Sequence, residues 1–107
     1  MKVALVGATG FVGSHILNEL LNRNIEVTAI ARDVDSIKDK PNVIAVQMDI
    51  NEPNRVASAI KGSDAVISAY NAGWTNPNLY DDFTEGSRHI LEAVKEADIK
   101  RFLVVGG

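Results

Sequence analysis

Five short apolar runs constrain this chain more than any other feature. They are Val3-Ala4-Leu5-Val6, Val27-Thr28-Ala29-Ile30-Ala31, Val43-Ile44-Ala45-Val46, Ala65-Val66-Ile67-Ser68-Ala69 and Phe102-Leu103-Val104-Val105. Each is too short for a helix, rich in β-branched residues, and nearly free of polar alternation. Strands that read this way are buried on both faces, which is the habit of parallel sheets.

Helical patterns lie between the runs. Val12, Ile16 and Leu20, with Leu17 and Leu21, predict a helix over 11–23 packed on the sheet. A short, weak helix is expected over 34–39, with Asp33 as a possible cap and Pro41 beyond it. Asn51 and Pro53 open a helix carrying Val56, Ala59 and Ile60 and closed by Gly62. Asn76-Pro77 opens the longest, with Ile90, Leu91, Val94 and Ala97 as its buried face. Strands and helices in alternation imply an α/β, doubly wound parallel sheet. Right-handed crossovers give the strand order 3-2-1-4-5, with a switch point between strands 1 and 4.

The 107 residues are enough for one domain with one core. A composition 46% hydrophobic and 23% charged is that of an ordinary globular protein, and no apolar run approaches the roughly 20 residues that span a bilayer. A net charge of −3 gives no electrostatic reason to expect nucleic acid or an anionic membrane as partner. The absence of cysteine excludes disulfides, thiolate metal sites and a cysteine nucleophile. With no signal peptide in view, a cytoplasmic protein is the default expectation.

The turn after the first strand, Gly7-Ala8-Thr9-Gly10-Phe11-Val12-Gly13, carries the chemistry. Gly7 permits a tight turn, Gly10 lets an anion approach the main chain, and Gly13 lets the helix lie close to the sheet. N–H groups at the helix start, aided by its dipole, then face a diphosphate, and Thr9 can add a hydroxyl. The spacing is G-x-x-G-x-x-G rather than G-x-G-x-x-G, and a purely structural turn is the competing account. Its place between a strand and an amphipathic helix favours a dinucleotide.

At these residues the chain resembles the extended and atypical short-chain dehydrogenase/reductases, nearest the NmrA-like and NAD-dependent epimerase/dehydratase branch. Beside GATGFVG at 7–13, the matching pieces are VTAIAR at 27–32, MDI at 48–50, GSDAVISA at 62–69 and KRFLVVGG at 100–107. The resemblance implies a Rossmann NAD(P)-binding domain over 1–107, cut short after strand 5. Its parent would be an NAD(P)-dependent oxidoreductase or epimerase/dehydratase acting on an unknown small-molecule substrate. The family's Tyr-x-x-x-Lys is absent, since Tyr70 is followed four positions on by Trp74 and Tyr80 by Thr84. No residue here is therefore assigned a catalytic role. A non-catalytic NADP(H)-binding redox sensor is the alternative, and exposed edges make a homo-oligomer possible.

Arg32, at the end of strand 2, suits the 2′-phosphate of NADP; Asp33, 20 residues after Gly13, could instead be the acid that favours NAD. NADP is the expected cofactor and NAD the alternative, with Asp33 read as a cap and a solvated surface charge as the plain account of Arg32. In the family, an acid at Asp49 hydrogen-bonds the adenine amino group with help from the Ile50 N–H; otherwise Asp49 is a turn residue. Ser68, Ala69 and Tyr70 end strand 4 at the switch point, leaving room for the cofactor, with Tyr70 over a ribose, or else are core residues.

His15 and His89 lack partners at ligand spacing, so no metal site is expected. Asp81, Asp82 and Glu85 are accounted for by the helix dipole. Trp74, in the loop after strand 4, is either a substrate contact or an anchor, and Tyr80 is a core or interface residue.

Overall fold

The computed structural model describes residues 1–48, 53–69 and 79–105, with the side chains of residue 53 and residues 79–87 set aside. The elements run β1 (Lys2–Val6), α1 (Phe11–Asn22), β2 (Glu26–Ala31), β3 (Val43–Gln47), α2 (Pro53–Ile60), β4 (Ala65–Ser68), α3 (Leu79–Glu96) and β5 (Phe102–Val104). They form one all-parallel sheet in the order β3-β2-β1-β4-β5, the doubly wound Rossmann arrangement expected from the apolar runs.

The pleat divides each strand between two cores. Ala4, Val6, Ile30 and Val66 face one side, where α2 and α3 bring Val56, Ala57, Ile60, Ile90, Ala93 and Val94. Leu5, Val27, Ala29 and Ala31 face the other, under Leu17 of α1 and with Val34 and Ile37. Burial on both faces holds for the central strands β1 and β2. It does not hold at the sheet edges: Ile44 on β3 and Leu103 and Val104 on β5 are largely exposed. An edge strand lacks the neighbour whose covering helix would complete its burial.

Three local expectations change. Residues 34–39 form a turn, not a helix. The Ile37 and Lys38 N–H groups both donate to the Val34 carbonyl, and the Asp33 carboxylate accepts from the Asp35 N–H at 3.0 Å. A segment this short cannot repay helix nucleation, and the aspartate offers the backbone a competing local bond. The buried face of α3 is Ile90, Ala93 and Val94, with Ala97 partly covered and Leu91 turned outward. On α2, likewise, Ala57 is buried beside Val56 and Ile60, and Ala59 is only partly covered. Left-handed residues close the helices: Asn24 after α1, Gly62 after α2 and Asp98 after α3. Among the described residues, no helix is long and apolar enough to cross a membrane.

Candidate functional site

The three glycines of the first turn have three different reasons to be glycine. Gly7 sits at φ 81°, in the left-handed region. A Cβ on Gly13 would lie 1.9 Å from the Gly7 carbonyl oxygen and 2.8 Å from its carbon, so α1 can approach the turn this closely only without one. Gly10 has neither reason. Its backbone is extended, at φ −72° and ψ 174°, and a Cβ there would meet nothing nearer than the Gly7 oxygen at 3.7 Å, an ordinary contact. Nothing within the described chain requires a bare main chain at position 10; the open space lies on the outside.

Hydrogen bonding shows what faces that space. The Gly7 and Ala8 N–H groups both donate to the Ile30 carbonyl, at 2.9 and 3.4 Å, which pins the turn to the end of β2. Gly10 N–H reaches the Gly7 oxygen at 3.3 Å, and Ser14 N–H is the first to close a helical ring, onto Gly10 at 2.8 Å. The N–H groups of Phe11, Val12 and Gly13, at the start of α1, have no acceptor among the described residues. Gly10 caps the helix without a side-chain hydrogen bond, and the first turn carries no acid. Helix starts ordinarily attract a Ser, Asp or Glu to this positive end. Here an outside anion can take that place.

Around this turn the sheet sets Arg32, Ser68 and Ala69 at the carboxyl ends of its strands. Arg32 follows β2, exposed and without a hydrogen bond or ion pair among the described residues. One oxygen of the exposed Asp33 carboxylate accepts from the Asp35 N–H, as a turn cap. Ser68 ends β4 beside Val6 and is buried, on the same alternating face as Val66, toward α2 and α3; Ala69 lies on the α1 side. The Ala69 N–H donates to the Val6 carbonyl at 2.8 Å, closing the sheet at the switch point between β1 and β4. Asp49, Ile50 and Tyr70 lie outside the described residues, as does Trp74.

Phe11 is 83% exposed, and its ring packs edge-on against His15 one turn along, with centroids 5.0 Å apart. The two histidines form no metal cluster; among the described residues there is none. The Ile30 carbonyl was not among the expected site residues, because a main-chain acceptor leaves no trace in residue type. The donors at the start of α1 and the bare position 10 fit the diphosphate of a dinucleotide.

Known proteins carry the same frame. The model of a family described as NAD(P)H-binding matches residues 7–107. A solved structure from Bacteroides thetaiotaomicron, named as a candidate epimerase, is 43% identical and superposes with a TM-score of 0.84 over 99% of this chain and 47% of its own. The oxidoreductase ylbE from Lactococcus lactis is 31% identical with a TM-score of 0.83, covering 97% of this chain and 47% of that one. The uncharacterized protein YwnB of Bacillus subtilis is 36% identical over 107 residues, all of this chain and 47% of its own. The chain thus spans about half the length of these relatives.

Proposed function

The chain belongs to the NAD(P)H-binding family, and from that premise we propose that residues 1–107 act as the dinucleotide-binding half of an NADP(H)-dependent oxidoreductase or epimerase/dehydratase. One observation carries the reading: nothing among the described residues requires Gly10 to lack a side chain, yet it lies against three N–H groups at a helix start that have no acceptor among them. Those amides and the α1 dipole would hold the diphosphate. When bound, the nicotinamide would supply hydride chemistry, while the protein binds and orients it.

NADP is the favoured form because Arg32 has no partner among the described residues and one oxygen of Asp33 is engaged by its own turn. A planar guanidinium can grip a 2′-phosphate in a two-pronged contact that a ribose hydroxyl cannot match. Relatives about twice as long support placing the substrate contacts outside these residues. A binding protein without chemistry is the second reading, and it uses the same nucleotide-site residues. Steady-state oxidation of NADPH separates the two.

The direct test is calorimetric titration of NADPH and NADH into wild type and Gly10→Asp. Wild type should bind, and the aspartate should weaken both ligands by at least tenfold, about 1.4 kcal/mol. Equal affinity in the two proteins would place the nucleotide elsewhere and end this reading.

A further inference from the structure

We infer that the outer edge of β3 is a self-pairing surface, through which two copies of this chain join their sheets about a two-fold axis at Ala45. The bonding on its inner side fixes which groups are outward. Val27 N–H donates to the Asn42 carbonyl and Met48 N–H donates to the Ala31 carbonyl. Even-numbered residues of β3 therefore turn their main-chain groups to β2, and Val43, Ala45 and Gln47 turn theirs away from the sheet. Only the Val43 N–H is taken, by the Lys40 carbonyl at 3.3 Å. The N–H and C=O of Ala45 and Gln47 have no partner among the described residues.

Edge strands are normally protected by a charge, a proline or a bulge. From Pro41 to Met48 the sequence has no charged residue, and Pro41 lies ahead of the strand rather than in it. Instead β3 exposes Ile44 at 57%, on the same face as the partly buried Val46. An antiparallel copy centred on Ala45 sets Ala45 opposite Ala45, Val43 opposite Gln47, and Ile44 opposite Val46. The outward amides and carbonyls at position 45 then exchange hydrogen bonds. Each exposed Ile44 is covered by the other copy's Val46, a β-branched cross-strand pair. The contact is the same from both sides, so it closes at two copies, whereas pairing the β3 edge of one copy with the β5 edge of the next would continue as a fibre. The other edge, β5, has only the three residues Phe102–Val104 and offers a shorter ladder.

Sedimentation equilibrium and cross-linking test this. Wild type should sediment with twice the chain mass. Ile44→Lys places a charge on an already exposed position; it should fold with an unchanged circular dichroism spectrum and weaken dimerisation at least tenfold. The natural chain has no cysteine, so Ala45→Cys should oxidise to a single cross-linked dimer, because directly opposed residues of such a pair lie within disulfide reach. Ser58→Cys, exposed on α2, should not cross-link. A monomeric wild type, a dimer that survives Ile44→Lys, or a dimer broken by Leu103→Lys instead would overturn the proposal. So would equal cross-linking through positions 45 and 58.

Discussion

Two turns leave the carboxyl ends of adjacent strands and treat their backbone groups in opposite ways. The turn after β2 satisfies itself: the Asp33 carboxylate takes the Asp35 N–H, the Val34 carbonyl takes two more, and Val34 and Ile37 are buried under it. The turn after β1 anchors only its base, through the Ile30 carbonyl. At the head of α1 three N–H groups have no acceptor among the described residues, beside a position with no side chain to cap them. Helix caps stabilise by about 1 kcal/mol when present. A turn that forgoes one, beside a neighbour closed by its own bonds, keeps donors that an anion from outside the chain can take.

Gly13→Ala attacks the frame of the first turn and should have the largest effect. Its methyl would stand on the Gly7 carbonyl, and main chain cannot swing aside as a flexible side chain can. Lifting α1 off the sheet should cost about 3 kcal/mol, lowering the melting temperature by more than ~10 °C and abolishing nucleotide binding. A variant as stable as wild type would mean that α1 and the turn are not so closely packed.

Gly10→Asp separates the two kinds of glycine. The new carboxylate can cap the open N–H groups and complement the helix dipole, so the unliganded protein should gain about 0.5 kcal/mol. The same carboxylate should exclude the diphosphate. Stability rising while affinity falls, read by thermal melts with and without NADPH, is a signature that a merely structural glycine cannot produce. Loss of both together would make Gly10 a structural residue like Gly13 and erase the contrast between the turns.

How much of this was legible beforehand follows from the same physics. Parallel strands buried on both faces leave continuous apolar runs, so β1 and β2 and the strand order could be read directly. Ile44 and Leu103 belong to runs of the same appearance, yet they are exposed, because burial at an edge depends on a neighbour that composition does not encode. The weak helix expected over 34–39, with Asp33 as its possible cap, is a turn, because the Asp33 carboxylate bonds the nearby Asp35 N–H, a choice visible only in three dimensions. Glycine spacing pointed to the cradle, but three glycines look alike in a sequence. Only the space around each one tells conformation, contact and approach apart.

Arg32→Ala carries the comparison to the cofactor's other end. The cation has no structural partner among the described residues, so stability should hold within about 0.5 kcal/mol. NADPH affinity should fall about tenfold, some 1.4 kcal/mol, with NADH affinity unchanged. Equal losses for both ligands would show that Arg32 does not read the 2′-phosphate.

Asp33→Ala should give the smallest effect and tests whether the second turn is as self-contained as its bonds indicate. Removing the carboxylate leaves the exposed Asp35 N–H to water, so the loss should be about 0.5 kcal/mol, or roughly 2–4 °C in melting temperature. If Asp33 serves only its own turn, the ratio of NADPH to NADH affinity will rise only by the loss of one nearby negative charge, and NADH binding itself will persist. A selective collapse of NADH affinity would mean the carboxylate also accepts from a ribose. The second turn would then belong to the site, and the division between a turn open to a ligand and a turn closed on itself would fall at Asp33 rather than between the strands.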